Sequence, residues 1–595
     1  MNERVSGPER QAYSLWRPNA HSLTQRTKQM QATLVYTWSS RLHAGTVGQP
    51  AHARAPRRRA TAALLPSASP PFPPASDHSP HSPTAQQPAS PMASPQDDHV
   101  FEKLKQKVDP AELQQRQREI NERIAAQYER AVARQADLVG SNFTLPVTVS
   151  SVRVLHAKHT RHAFLERVFS PLLNANKEPS YTLEDALADI GGAVNKLERF
   201  DIFKSPISVY VDRPDKSNPS TTPTDIDVYL HARERSRYTI KTGTEAGSAE
   251  GSAYASAQLR NLFGGAESLN AHASAGTRTR SAYSAYFDTP ILSNPDLRWE
   301  IGGLASSTLK SWASHEEVLK GGSTKLKWQS SGGHRHELAY SGFWRQITGL
   351  AATASPTVRA DAGDSFKSSI SHTYTLDRRD FPLLPSRGYL LKTVAELAGG
   401  PLKGDVGFGK LELESQAALP FPPIPGVALT TSFRAGLLHP FVDGTGKPTP
   451  SRINDRFQLG GPTDVRGFRL AGLGPRDGPD AVGGDVFAAG SASLMLPLPR
   501  VGAETPLRLQ AFVNAGRLLA LKERRDSEGN ADAKESLKAT LEELKNGLPS
   551  AAAGIGLVYA HPVARFEVNF SLPLVLRKGE QGRKGVHFGV GIEFM

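Results

Sequence analysis

"ARFEVNFSL", residues 564–572, puts Ala564, Phe566, Val568, Phe570 and Leu572 on one side of an extended chain. Arg565, Glu567, Asn569 and Ser571 fall on the other. Successive side chains of a strand point to opposite faces, so this period of two reads as a strand with one greasy and one wet side. The pattern recurs at Val427, Leu429, Thr431, Phe433, Ala435 and Leu437. It recurs again at Val586, Phe588, Val590, Ile592 and Phe594. From Tyr238 onward about sixteen such runs follow one another, at roughly 22 residues per strand and connection, a spacing that suits an antiparallel barrel. One run is untidy: in "DVGFGKLELE" (405–414) the apolar phase slips around Lys410, where a bulge is expected.

A soluble sandwich alternates too, and two features favour lipid instead. The polar faces keep lysine, arginine and glutamate in one phase, as a water-filled lumen permits. Aromatics (Tyr286, Phe287, Trp299, Trp344) recur near strand ends, as at a membrane interface. The last run also lies at the chain's end, where closure of a barrel would use it. The expected fold is an all-β membrane protein: a 16-stranded antiparallel transmembrane β-barrel over residues 238–595, set in a lipid bilayer.

Composition narrows the function classes. No run of 18 apolar residues exists, which excludes a membrane-spanning helix, and a mean hydropathy of −0.40 is compatible with a barrel. Cysteine is absent, so disulfides, thiol catalysis and cysteine-based zinc sites are excluded. The net charge of +13 suggests nucleic acid until it is localised, because residues 1–91 hold ten Arg/Lys against three Asp/Glu. Over half the excess thus sits in a tail, and no nucleic-acid partner is expected. That tail, "SASPPFPPASDHSPHSPTAQQPASP" included, is too rich in Pro, Ser and Ala to bury a core. Its Arg-rich, acid-poor start has the composition of an organelle transit peptide but no secretory h-region. A disordered extension over 1–100 is the preferred reading, with "MASPQDDHVFEKLKQ" a natural opening at Met92.

Residues 101–140 read as a polar linker helix: Asp109 caps, Pro110 takes the first helical position, and Leu113, Ile120, Ile124 and Val132 form only a thin stripe. Residues 145–235 are a small α+β domain in the order strand, helix, helix, strand, strand. Leu183, Leu187, Ile190, Val194 and Leu197 are expected on the buried face of its second helix. Its sheet leaves an edge available to a partner strand.

Chemical motifs are few. "GDVGFGKL" approaches a phosphate loop, but Leu411 stands where a magnesium-binding hydroxyl is needed, and no helix follows. "HEEVL" and "HELAY" lack the second histidine of a zinc helix. No G-x-S-x-G elbow occurs. No enzyme activity, cofactor or metal is expected.

One loop remains. In "DRFQLGGPTDVRGFRL" (455–470) Arg466 lies between Val465 and Gly467-Phe468, on a connection of over forty residues between the eleventh and twelfth strands. Structureless loops of that length are usually functional. Gly467 allows close backbone approach and Phe468 asks for burial, so the loop is expected to fold back into the lumen. In "LRLQAFVNAG" the residues Arg508, Gln510, Phe512 and Asn514 would face inward. Asn514 is the expected partner of Arg466, with Asp485 the second candidate.

"GGPTDVRGF" (460–468) resembles the signature of the POTRA-plus-barrel outer-membrane assembly proteins, bacterial BamA and its relatives. "RNLFGGAE" (260–267), "GGDVFAAGS" (483–491) and "FVNAG" (512–516) resemble further segments of that superfamily, over about residues 145–595. The small α+β domain matches one POTRA module, and a single module is similar to the mitochondrial branch, the barrel core of the sorting and assembly machinery. Asn514 departs from the aspartate of many bacterial members. "HFGVGIEF" (587–594) fits the family's terminal signal through Gly589, Gly591, Ile592 and Phe594.

The resemblance implies an insertase for β-barrel precursor polypeptides in the mitochondrial outer membrane. The POTRA module would lie in the intermembrane space, accessory subunits of the sorting and assembly machinery would be partners, and a lateral gate would lie between the first strand (about 239–247) and the last (585–594). A polypeptide-translocating pore, of plastid-import or two-partner-secretion type, is the alternative. A soluble β-rich binding protein is the third reading. Finally, "ADAKESLKATLEELKNG" (531–547) is expected to be a loop helix with Leu537, Leu541 and Leu544 on one face. It would serve either as a dock for an accessory subunit or as a self-packed element.

Overall fold

The computed structural model describes residues 110–175, 181–214, 219–246, 251–421, 424, 426–441, 451–498, 505–521, 533–562 and 564–591. Two compact units are present, one of residues up to 145 with Thr182–Glu184, the other of the remainder. In the first unit, helix α1 (Pro110–Ser141) ends one residue past the expected end of the linker helix, and Ile120, Ile124 and Leu138 are exposed, as a thin apolar stripe implies. The expected disordered extension, 1–100, lies outside the described residues.

The second unit opens with β1 (Thr148–Leu155), α2 (His162–Ala175), α3 (Leu183–Arg199), β2 (Ser208–Asp212) and β3 (Asp225–His231). The sheet order is β1-β3-β2, with β1 parallel and β2 antiparallel to the central β3. Phe164, Val168 and Leu172 of α2 pack with Val149, Val228 and Leu230. On α3 the buried residues are Ala186, Ile190, Ala193 and Leu197, while Leu183, Leu187 and Val194 are only half-buried. The packed face is therefore rotated from the expected one, towards Ala186 and Ala193.

The rest is one sixteen-stranded sheet in which consecutive barrel strands pair antiparallel, from Tyr238–Ala246 to Gly585–Gly591. Inward and outward faces alternate as read from the sequence. On the fifteenth strand (Arg565–Val575), Phe566, Val568, Phe570 and Leu572 are exposed, whereas Arg565, Glu567, Asn569 and Ser571 are at most 4 % exposed. A polar face so thoroughly buried needs something inside the sheet's curl to cover it. The connection between the eleventh strand (Ala428–Pro440) and the twelfth (Val486–Pro497) is that cover. Its residues touch the sixth to eighth strands and also the fifteenth, which requires the sheet to roll into a barrel around them. Among the described residues no helix is long and apolar enough to cross a membrane.

One expectation about the strands needs correction. The tenth strand (Phe408–Pro420) has no bulge at Lys410; its register against both neighbours is continuous. The apolar phase slips because Phe408 faces inward, into the apolar cluster beneath the loop. The first strand begins at Tyr238, and among the described residues no ladder joins it to the sixteenth.

Candidate functional site in the lumen

The loop is a folded hairpin. Phe457 pairs with Gly484 and Leu459 with Leu473 across its two arms. Asp464 closes the turn before the tip by accepting the Gly460 N–H at 2.7 Å. At the tip Val465 and Phe468 are buried with Leu459, Leu473, Leu518 and Ala552. Gly467 has φ +88°, and an added Cβ would lie 2.7 Å from the Ala552 methyl carbon. Only glycine meets both conditions without strain. The tip also joins the turn of the last hairpin: Arg583 N donates to Gly467 O at 2.8 Å and Arg469 N to Gln581 O at 3.0 Å.

Arg466 is 1 % exposed and its partner is Glu567. Nε reaches one carboxylate oxygen at 3.0 Å and Nη2 the other at 3.3 Å, a two-pronged charge-assisted contact. Arg565 approaches the same carboxylate at 2.5 Å, on the oxygen that Arg466 Nη2 also reaches. Asn569 donates to it at 2.7 Å and Gln510 at 3.2 Å. The Arg466 guanidinium lies 5.0 Å from the ring centre of Phe512. A carboxylate this deep persists because donors surround it; stripped of them, its burial would cost several kcal/mol.

Neither expected partner binds the guanidinium. Asn514 holds the backbone of Arg466 instead: its amide oxygen accepts Arg466 N at 2.6 Å and its nitrogen donates to Arg466 O at 3.2 Å. The arginine's length carries its charged end past Asn514, down the lumen to the next inward rows. Asp485 lies at the root of the loop, not its tip, and accepts from Ser451 Oγ at 2.5 Å and Leu521 N at 2.9 Å. Glu567 was readable in the sequence as an inward-phase carboxylate of the 564–572 run, beside Arg565 and Asn569.

On the sixteenth strand Gly589 pairs opposite Glu567 and Gly591 opposite Arg565. Paired residues share a face, so both glycines border the inward charges and leave them room. Ile592 and Phe594 lie outside the described residues. Among the described residues no cluster of His, Cys, Asp and Glu could hold a metal ion.

Two further segments have structural roles. The turn 260–267 is a socket for the small α+β domain. Glu267 accepts from Gly265 N at 2.8 Å and pairs with Arg161, Asn261 Nδ2 donates to Thr160 Oγ1 at 3.1 Å, and Arg161 N donates to Gly264 O at 2.8 Å. The loop helix α4 (Ala533–Asn546) packs on its own barrel. Ser536 and Thr540 are buried, Leu541 is exposed, and Arg517 donates to the carbonyl oxygens of Glu543 and Leu544 at the helix's C-terminal end. The expected leucine face is thus only partly used, because the packed side follows Ser536 and Thr540.

Residues 261–594 match the model of the Omp85 superfamily domain. A SAM50-like protein of Schizosaccharomyces pombe is 38% identical over 479 residues, covering 80% of this chain and 97% of that one. The human sorting and assembly machinery component 50 homolog is 34% identical, covering 68% of this chain and 82% of the relative. Among solved structures, BamA from Haemophilus ducreyi lacking POTRA domains 1–3 superposes with a TM-score of 0.59 at 15% identity, covering 75% of this chain and 84% of that chain. That likeness speaks for the fold. The lumenal arginine, Gly589 and Gly591, the small α+β domain and these matches agree: this chain belongs to the Omp85 superfamily, among the SAM50 homologues.

Proposed function

We propose that the chain folds β-barrel precursors and inserts them into the mitochondrial outer membrane at the seam between its first and sixteenth strands. A nascent barrel cannot enter lipid strand by strand, because every unpaired backbone N–H or C=O in hydrocarbon costs several kcal/mol. An edge strand inside the membrane removes that cost by offering a ladder to the incoming strand. The observation that carries the reading is the tip of the lumenal hairpin, bonded to the inward face and to the turn of the last hairpin, directly beside the seam. It braces one lip of the seam. The chemistry is non-covalent, with no enzyme activity and no cofactor. The POTRA-like domain lies in the intermembrane space, and accessory subunits of the sorting and assembly machinery complete the working complex.

The polypeptide-pore reading is disfavoured by the same hairpin, whose buried core packs inside the lumen a transiting chain would need. The absence of native cysteine makes the test clean. A single cysteine in the first strand should form a disulfide with a cysteine in the last strand of an arrested barrel precursor. Disulfides found only with lumen-facing cysteines, such as one at Lys392, would support the pore.

A further inference from the structure

We propose that the lumenal hairpin is a strut across the barrel, with a second charged anchor at Asp455 that fixes the position of the seam's last hairpin against the opposite wall. Arg345 of the seventh strand (His334–Thr348) donates to Asp455 at 2.7 Å, and both side chains are at most 4 % exposed. Lys367 of the eighth strand (Gly363–Asp377) reaches the same oxygen at 3.3 Å and also pairs with Glu396 at 2.7 Å. Lys410 donates to the Asp455 carbonyl at 3.2 Å. The neighbouring residue Asn454 donates to Glu317 on the sixth strand (His315–Gln329) at 2.7 Å. The root of the hairpin is therefore bound to strands six, seven, eight and ten.

Its tip is bound to strand fifteen. In a ring of sixteen strands, seven and fifteen are eight places apart and so face each other across the lumen. The piece between the anchors is braced by the Phe457–Gly484 and Leu459–Leu473 pairs and by Arg434 on Asp464 at 2.8 Å, so it transmits force instead of flexing. Strand sixteen follows strand fifteen through a continuous ladder. Arg345, Lys367 and Asp455 are thus positioning residues that act on the seam from the far wall. A member cut at one end is as slack as one cut at both, which separates a strut from two independent latches.

The insertase reading supplies the functional consequence, but the measurement needs no precursor and so fails or succeeds separately. Cysteines are introduced in pairs within 241–244 and 586–589, and the rate of seam disulfide formation is read in the lipid-reconstituted full chain. Asp455→Asn should change that rate at least about threefold, as should Glu567→Gln. The double variant should go no further than either single one, because coupled sites depart from additivity. The charge-reversed pair Arg345→Asp with Asp455→Arg should return the rate towards its original value. Additive effects, or an Asp455→Asn chain with an unchanged rate, would overturn the strut. Should Asp455→Asn not fold, Arg345→Lys, which keeps the charge but shortens the reach, gives the same comparison. Precursor assembly is then scored in the same variants. A changed seam rate with normal assembly retires the insertase reading and leaves the strut standing.

Discussion

Glu567 is shared by two guanidinium groups and two amides in a place water does not reach. Glu567→Gln would leave Arg466 and Arg565 facing each other across a neutral group, at a cost of about 3 kcal/mol, the lower end for breaking a buried pair. The expected outcome is a lowered urea midpoint for unfolding in lipid vesicles; a midpoint equal to the parent's would contradict the pairing. At the hairpin tip two penalties can be separated. Gly467→Ala meets both the Ala552 methyl and a backbone at φ +88°, together worth about 2 kcal/mol. Adding Ala552→Gly should recover the steric part and leave the backbone part, again by unfolding midpoint. The tip itself was legible in the sequence, because glycine and phenylalanine flanking one arginine imply burial. Its partner was not. Asn514 sits beside the Arg466 backbone, as the spacing implied, but a long side chain separates where a residue sits from where its charge acts.

Two elements outside the tip yield their own tests. The 260–267 turn holds the POTRA-like domain through Glu267, Asn261 and the backbone of Gly264. Glu267→Ala removes one ion pair and the acceptor for two backbone N–H groups. Amide exchange across 159–161 and 260–267 should rise roughly tenfold, about 1.4 kcal/mol, while the barrel strands keep their protection. Unchanged exchange would show that the socket holds without its carboxylate. For α4, Arg517 supplies donors to two last-turn carbonyls, that of Glu543, which also accepts from Gly547 N, and that of Leu544. Arg517→Met should loosen 533–546 selectively, by about 1 kcal/mol in the same measurement. Strict alternation along the thirteenth and fifteenth strands was enough to assign their inward and outward faces. The slip at Lys410 suggested a bulge, because a large apolar residue turned inward looks, in sequence, like a lost register. Only the loop it packs under explains it.

The whole molecule joins a small domain, a sixteen-stranded barrel and a hairpin that crosses its lumen. The number of strands, the α+β element order of 148–231 and the long eleventh connection could all be read from periodicity and spacing. What spacing could not supply is the hairpin's attachment to opposite walls, since ladders follow the chain's order and lumenal contacts do not. The central claim is that this assembly inserts other barrels. Its most direct measurement follows a labelled β-barrel precursor into mitochondria isolated from cells depleted of this chain, with a matrix-targeted precursor as control. The account predicts that the barrel precursor crosses the outer membrane yet stays extractable by alkaline carbonate, while the matrix protein is imported normally. Full conversion of the barrel precursor to its carbonate-resistant form in depleted mitochondria would contradict it.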